Sequence, residues 1–297
     1  MDIHAIFSNP GPVEAEILDE LGASFVVSRR LLPPVVLRSI EGGQGEPVLF
    51  LHDRLHACSI WQPFLVPMAK TNRVIAVDLA GLGQSSSPPF ASRDPALAIR
   101  FFLDPLLAFI RAFGLERASI VGHSLGGLLA LELLLSGVVQ PQKLALIAPL
   151  GVGKEMSLAA RLFYRAKPER LVSVLGKKLF SAGLVASGRP SLPPRLAALE
   201  AEMLSELGGK SPPAAAFDAL VPLTGPVYER SIDLPRVDVP TLLLWGERDP
   251  VLPAPMALVA AAKLPRATLK IFPRLGHAPH LEDTASVLPL LAAFLSS

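Results

Sequence analysis

Residues Ala118 to Gly127 read ASIVGHSLGG, a short apolar run that leads into a serine between two glycines. The run Ala118–Gly122 predicts a buried strand, and the apolar residues Leu125–Leu135 predict a helix directly after the serine. A serine on such a strand-to-helix turn holds its hydroxyl outward. An ordinary glycine-rich turn is the alternative, but the strand and helix on either side favour Ser124 as a candidate nucleophile. The Leu125 N–H would then lie at a helix N-terminus, where it can stabilise an oxyanion.

Apolar runs that end in polar or turn residues recur along the rest of the chain. The predicted strands are Val35–Ser39, Val48–Leu51, Val74–Val77, Leu144–Ala148, Thr241–Trp245 and Leu269–Phe272. The predicted helices are Pro95–Phe113, with a bend or break at Pro105, and Pro255–Lys263 and Ala285–Leu295. Continuous apolar strands alternating with helices indicate an α/β protein with a mostly parallel sheet flanked by helices.

Residues 151–232 interrupt this alternation. They contain helix-like segments at Leu158–Tyr164, Pro168–Phe180 and Pro194–Leu207, separated by stretches rich in proline and glycine. No strand pattern stands out there. We therefore expect a core made of residues 1–150 and 233–297, with residues 151–232 inserted as a helical subdomain.

Composition argues against several classes of partner. The chain has 297 residues, 51% of them apolar, and a net charge of +2 without a basic block, so neither nucleic acid nor an anionic membrane surface is expected. A signal sequence and an uncharged run long enough to span a membrane are both missing from the pattern. With Cys58 as the only cysteine, we expect a soluble cytoplasmic protein with a small-molecule substrate. The sequence does not fix its oligomeric state.

Neither a cofactor nor a metal is expected from the spacing of the residues. Gly81 and Gly83 lack the rest of a dinucleotide-binding motif, and no cluster of His, Asp or Glu has the spacing of a metal site. We expect Cys58 to be a packed free thiol.

Several motifs, in this order along nearly the whole chain, together resemble the α/β-hydrolase fold superfamily. They are Leu51-His52, Trp61, Asp78-Leu79-x-Gly81-x-Gly83-x-Ser85, Gly122-His123-Ser124-Leu125-Gly126-Gly127, Trp245-Gly246-Glu247-Arg248-Asp249 and Gly276-His277-x-Pro279-His280-Leu281-Glu282. The resemblance implies an α/β-hydrolase fold with a serine nucleophile, and it implies that the insertion 151–232 is a helical cap, or lid, over the active site.

The resemblance also implies a base and an acid for Ser124. It places the general base at His277, with His280 as the rival, and the orienting carboxylate at Asp249, with Glu247 as the rival. The chain order Ser, Asp, His is the order of this superfamily. His123 and His52 are expected to have structural roles.

The loop after His52 departs from the superfamily, in which this histidine is usually followed by glycine. Here Asp53 follows, and we expect the Arg54 N–H to be the second oxyanion donor beside that of Leu125. A carboxylate near a developing oxyanion is unfavourable unless it points away or is paired, and Arg54 is the candidate partner.

These observations predict a serine hydrolase, carboxylesterase-like, that cleaves an ester of a small to medium, largely apolar substrate through an acyl-enzyme, without a cofactor. The alternatives are a carbon–carbon bond hydrolase of a diketone-type ring-cleavage product, a low-turnover small-molecule-binding homologue, and acyl transfer to an acceptor other than water. The candidate pocket residues in the insertion are Leu158, Leu162, Phe163, Leu171, Val174, Leu175, Leu179, Phe180 and Leu184.

Overall fold

An eight-stranded sheet forms the centre of the computed structural model, which describes residues 10–166, 176, 192–207 and 212–297. The strands are β1 (Phe25–Leu32), β2 (Val35–Gly42), β3 (Pro47–Leu51), β4 (Arg73–Val77), β5 (Ser119–His123), β6 (Leu144–Ile147), β7 (Thr241–Gly246) and β8 (Ala267–Phe272). Their spatial order is β1-β2-β4-β3-β5-β6-β7-β8. This is the predicted α/β class with a mostly parallel sheet.

The six strands β4, β3, β5, β6, β7 and β8 are parallel to one another, whereas β2 runs antiparallel to both β1 and β4. In the parallel part, the register aligns Leu51 with Gly122 and Trp245 with Ile271. The carboxyl ends of parallel strands meet at one edge of the sheet, so the loops after β3, β5, β7 and β8 come together there.

The first strand, β1, is the strand that the apolar pattern did not predict. β1 has the sequence FVVSRRLL, lies at the edge of the sheet and is partly exposed along its whole length. Its centre is charged and polar, so it does not form a continuous apolar run. An edge strand tolerates such residues because only one of its faces needs to be covered. It pairs residue by residue with β2, from Phe25 opposite Gly42 to Leu32 opposite Val35.

Helices cover both faces of the sheet. The helices are α1 (Pro12–Leu21), α2 (Gln62–Met68), α3 (Pro95–Phe113), α4 (Leu125–Leu135), α5 (Leu158–Arg165), α6 (Pro194–Leu207), α7 (Pro212–Leu220), α8 (Pro255–Lys263), α9 (Pro279–Glu282) and α10 (Thr284–Ser296). One apolar core contains the buried faces of α3, α4 and α8, and a second contains those of α1, α2 and α10. Among these described helices, none has both the length and the apolar character needed to cross a bilayer.

Pro105 does not break α3, which runs without interruption from Pro95 to Phe113. The proline ring removes the N–H that would bond to the carbonyl of Phe101. The apolar face of the helix nevertheless stays in the core, with Phe102, Phe109 and Ile110 fully buried. We conclude that this packing offsets the lost hydrogen bond, so that, of the predicted bend or break, the break does not occur.

The regular secondary structure of the described part of the insertion is helical. Within residues 151–232, the described parts contain α5, α6 and α7 and no strand. Helix α7 packs on α3, and α6 packs on α1. The predicted segment Pro168–Phe180 lies outside the described residues.

A buried ion-pair network ties α1 to the sheet. The guanidinium of Arg38, on β2, contacts the carboxylates of Glu14 and Asp78 at 2.6 Å each, and all three side chains are buried. Asp78 also accepts from the backbone N–H groups of Cys58 and Gln84, at 2.6 and 2.8 Å. Burial favours the uncharged form of Asp78, but Arg38, His52 and the N–H of Cys58 together outweigh it and hold the pKa of this carboxyl below its usual range. The network therefore fixes the turn after β4, which borders the candidate site.

Candidate active site

Ser124 occupies the turn between β5 and α4 in a strained backbone conformation. Its φ is 50° and its ψ is −111°, a positive φ that residues other than glycine seldom adopt. Helix α4 begins at the next residue, Leu125, so the first N–H groups of the helix lie beside the serine hydroxyl. This is the geometry of a nucleophile elbow.

The glycines around Ser124 are required by close packing. A Cβ on Gly122 would meet the backbone of Gly126 at the start of α4. A Cβ on Gly126 would collide with the carbonyl oxygens of Leu51 and His52 at the end of β3. The loop that follows β3 therefore lies directly against the turn that carries Ser124.

His277 and Asp249 complete a chain of hydrogen bonds that begins at Ser124. The Nε2 atom of His277 lies 3.0 Å from Oγ of Ser124, and its Nδ1 atom lies 2.8 Å from Oδ2 of Asp249. The other oxygen of Asp249 accepts from the N–H groups of Val251 and Leu252, at 2.8 and 2.9 Å. The Asp249 side chain is fully buried. The structure thus brings together the three residues that the sequence singled out as nucleophile, base and acid.

The rival residues lie elsewhere. Glu247 is exposed. His280 is fully buried, and its ring stacks on that of Trp61 at a centroid distance of 4.8 Å. Burial, together with the nearby His123 and His56, lowers the pKa of His280 well below its usual value.

The loop that carries His277 is held from both sides. Glu282 accepts from the N–H of Gly276 at 2.6 Å and from the N–H of Ala278 at 3.1 Å. The Nε2 atom of His123 lies 3.0 Å from the carbonyl oxygen of His277, so His123 donates from Nε2. Burial lowers the pKa of His123 to about 3, so its ring is neutral and its Nδ1 atom is unprotonated. Glu282 and His123 thereby fix the backbone of the candidate base.

The sequence analysis did not find the contacts of Glu282 and His123, because they depend on how two loops meet in space. His52 has the loop-holding contacts that the sequence predicted. Its Nδ1 atom lies 2.6 Å from the carbonyl oxygen of Asp53, and its Nε2 atom accepts from the N–H of Leu79 at 3.0 Å.

Asp53, the residue that departs from the superfamily, is paired with His56. Its Oδ1 atom lies 2.6 Å from Nδ1 of His56 and accepts from the N–H of Leu55 at 3.1 Å. Burial alone would raise the pKa of this carboxyl, but His56 and the other neighbouring histidines hold it well below its usual range. The Asp53 carboxylate was expected to be paired, with Arg54 as the candidate partner; the partner that the structure shows is His56.

Arg54 connects this loop to the insertion. Its guanidinium lies over the ring of Tyr164, on α5, at 5.5 Å and over the ring of Phe217, on α7, at 5.2 Å. Cation–π contacts of this kind hold a buried arginine in place. The described helices of the insertion therefore reach the loop beside Ser124 with aromatic side chains.

The predicted pocket residues of the insertion are only partly described. Leu158 and Leu162 lie on the surface, with 59% and 51% of their area exposed, and Phe163 is partly buried. The others, Leu171, Val174, Leu175, Leu179, Phe180 and Leu184, lie outside the described residues. Leu158 and Leu162 point to solvent because the apolar face that α5 turns inward carries Ala160 and Tyr164 instead. Their prediction as pocket residues is therefore wrong.

Comparison with known proteins agrees with this architecture. The family model described as the alpha/beta hydrolase family matches residues 48–289. That range contains β3 to β8, the turn at Ser124, and both Asp249 and His277. The chain belongs to the α/β-hydrolase family and has its fold.

Individual relatives have different activities in their names. The chain is 30% identical over 264 residues to the dihydrolipoyllysine-residue acetyltransferase component of an acetoin cleaving system from Cupriavidus necator, in an alignment covering 86% of this chain and 65% of the relative. It is 26% identical over 272 residues to a 2-hydroxymuconate semialdehyde hydrolase of a Pseudomonas species, covering 86% of this chain and 89% of that one. The chain thus spans about two-thirds of the length of the first relative and most of the second.

A solved structure is also similar. The crystal structure described as that of a membrane phospholipase A superposes with a TM-score of 0.78 at 26% identity, and it covers 96% of this chain and 90% of its own. The similarity extends well beyond the sheet, since it includes almost the whole chain.

Proposed function

We propose that this chain is a serine hydrolase that cleaves a carboxylic ester of a small to medium, largely apolar substrate through an acyl-enzyme. The observation that carries the proposal is the pair of distances at His277, 3.0 Å to Ser124 Oγ and 2.8 Å to Asp249 Oδ2. A serine becomes a useful nucleophile only when a base takes its proton during the attack.

Each proposed step uses one of these contacts. Ser124 Oγ attacks the ester carbonyl while His277 Nε2 takes its proton, and the buried Asp249 carboxylate stabilises the imidazolium. His277 then gives the proton to the departing alcohol. A water molecule, deprotonated by the same nitrogen, then attacks the acyl-serine, and His277 returns the proton to Ser124 Oγ as the acid leaves.

The proposed oxyanion donors are the backbone N–H groups of Leu125 and Arg54. Leu125 opens helix α4, so its N–H is not used within the helix. The packing of Gly126 against the end of β3 holds the loop of Arg54 beside the serine. Because Asp53 has His56 and Leu55 as partners, its carboxylate does not need those donors.

The preference for an apolar substrate rests on the insertion, residues 151–232, which we propose to be a cap over a core made of residues 1–150 and 233–297. Tyr164 and Phe217 of this insertion lie against the Arg54 side chain. Aromatic side chains beside a polar centre favour an apolar acyl or alcohol group.

A second candidate function is carbon–carbon bond hydrolysis of a diketone-type ring-cleavage product. The relative named 2-hydroxymuconate semialdehyde hydrolase, which this chain matches over most of both lengths, favours it. The same serine, histidine and aspartate would serve either reaction, so the geometry at His277 does not separate them.

The experiment is a comparison of hydrolysis rates on p-nitrophenyl esters of increasing chain length, with the wild type and Ser124→Ala. We expect measurable turnover that is best for short to medium chains, and a loss of kcat/KM of at least about 10⁴-fold in the variant. A ring-cleavage diketone is assayed in parallel. Rapid cleavage of the diketone with negligible ester turnover would replace the proposal by the second candidate, and ester turnover that survives in Ser124→Ala would contradict both.

A further inference from the structure

We propose that Asp53, His56 and His123 form a binding site for a divalent transition-metal ion. Their ligand atoms, one from each side chain, all lie within 4.8 Å of one another. Each residue is buried, with 2% of its area exposed. Two of them come from the loop after β3, and the third is the last residue of β5.

The hydrogen bonds of His123 leave one ring nitrogen directed at the site. Its Nε2 atom donates to the carbonyl oxygen of His277, so in the neutral ring Nδ1 carries a lone pair. The Nδ1 atom lies 3.8 Å from Oδ2 of Asp53, which is also an acceptor. None of the described residues donates a hydrogen bond to Nδ1 of His123. A cation between these two acceptors would be bound by both of them.

The types of ligand select the class of ion. Two imidazole nitrogens and one carboxylate oxygen suit Zn²⁺, Co²⁺ or Ni²⁺, whereas Ca²⁺ and Mg²⁺ prefer sites made entirely of oxygen atoms. A ligating histidine usually donates its other N–H to a carbonyl or carboxylate. His123 already has that arrangement through its contact with His277.

His56 must exchange its hydrogen bond for the ion. Its Nδ1 atom lies 2.6 Å from Asp53 Oδ1, and two ligands of one tetrahedral ion with bonds of about 2.0 Å lie roughly 3.3 Å apart. The ion takes the place of the proton on Nδ1 of His56, which passes to Nε2 when the ring is neutral and to solvent when the ring is protonated. Nδ1 of His123 lies 3.8 Å from Oδ2 of Asp53, and all three ligand atoms lie within 4.8 Å of one another, so side-chain shifts of up to about 1.5 Å bring them around one ion.

The site is separate from the catalytic chain of hydrogen bonds, although both contain an Asp–His pair. The spacing of residues gave no reason to expect it, because His123 is far along the chain from Asp53 and His56. Only the parallel pairing of β3 with β5 brings the ends of these two strands together.

The two Asp–His pairs supply a matched control for the experiment. Because the site is buried, the wild type, Asp53→Asn, His56→Gln and Asp249→Asn are each unfolded in denaturant and refolded with Co²⁺ or Zn²⁺, and unbound metal is removed. Bound metal per chain, the Co²⁺ absorption spectrum and the metal-dependent rise in Tm are then measured. Unfolding curves without metal show which variants fold.

We expect one ion per wild-type chain, with a Co²⁺ spectrum that lacks thiolate bands, since Cys58 is not a ligand. Asp53→Asn and His56→Gln should each weaken metal binding by about a hundredfold or more. This loss is larger than the loss expected when only a residue hydrogen-bonded to a metal ligand is removed. Asp249→Asn should bind within about threefold of the wild type. The absence of bound metal after refolding would overturn the proposal. So would a loss of binding in Asp249→Asn that is not seen in Asp53→Asn, because the ion would then lie at the catalytic histidine.

Discussion

His280 is the residue whose burial has the clearest consequence for stability. It is fully enclosed between Trp61 and His123, and neither of its ring nitrogens has a hydrogen-bond partner among the described residues. The charged groups and histidines that act on it are His123, His56, Asp53 and His277. Burial is the main reason why its pKa lies well below the ordinary value of 6.5.

This lowered pKa predicts a loss of stability in mild acid. The unfolded chain takes up a proton on His280 near pH 6.5, whereas the folded protein does not, so the free energy of unfolding falls as the pH drops below that value. In the variant His280→Leu, the unfolded chain no longer takes up this proton, so this contribution to the pH dependence of stability is lost. Urea unfolding at about pH 7.5 and about pH 5.5 should show the wild type losing about 1.4 kcal/mol in total between the two pH values, relative to His280→Leu. Parallel pH profiles for the two proteins would contradict this account of His280.

At the scale of residues, the sequence predicted those contacts that follow from a motif and missed those that depend on packing. Ser124 was predicted from its strand-to-helix turn, and Asp249 and His277 were predicted from the resemblance of the motifs that contain them to those of the superfamily. The pairing of Asp53 with His56 was not predicted, although the two are only three residues apart, because a short loop does not reveal where its side chains point. The contact of His123 with His277 could not be predicted at all, since it joins loops from distant strands.

At the scale of elements, helix α6 of the insertion holds the beginning of helix α1. The carboxylate of Glu202 accepts from the N–H groups of Val13 and Glu14, at 3.2 and 3.0 Å, and it is buried. An ion pair between Arg195 and Glu20, at 2.7 Å, joins the same two helices near the surface. Helix α1 has no side-chain cap of its own, because its N-cap residue is Gly11.

Replacing Glu202 by Ala should therefore destabilise the protein. The two N–H groups lose their acceptor, and the positive end of the α1 dipole loses its carboxylate, which together cost about 1–2 kcal/mol. The measurement is urea unfolding, with Glu16→Ala as the control, since Glu16 is exposed on the same helix. A Glu202→Ala variant as stable as Glu16→Ala would show that α6 does not support α1.

Prediction at this scale succeeded for apolar elements and failed where pairing or packing decides. The central strands and the helices Leu125–Leu135, Pro194–Leu207 and Pro255–Lys263 were predicted from their patterns, and those three helices have the predicted bounds. Strand β1 was missed because its exposed edge position allows polar residues. Of the bend or break predicted at Pro105, the break does not occur, because burial of α3 outweighs one lost hydrogen bond.

At the scale of the whole molecule, the fold explains why residues far apart in the chain meet at Ser124. The parallel strands bring the loops after β3, β5, β7 and β8 to one edge of the sheet, and the family to which the chain belongs shares this arrangement. The buried network of Arg38, Glu14 and Asp78 adds rigidity beside that edge. The proposed hydrolase activity thus depends on the sheet and its loops, which hold His277 through contacts with Glu282, His123 and Asp249.

The measurement that tests the central claim most directly is covalent labelling with a fluorophosphonate, followed by mass spectrometry of the intact protein and of its peptides. The account predicts one adduct per chain, located on Ser124, absent in Ser124→Ala and formed far more slowly in His277→Gln, because the serine then lacks its base. Equal labelling of the wild type and Ser124→Ala, or an adduct on another residue, would contradict the claim that Ser124 is the activated nucleophile.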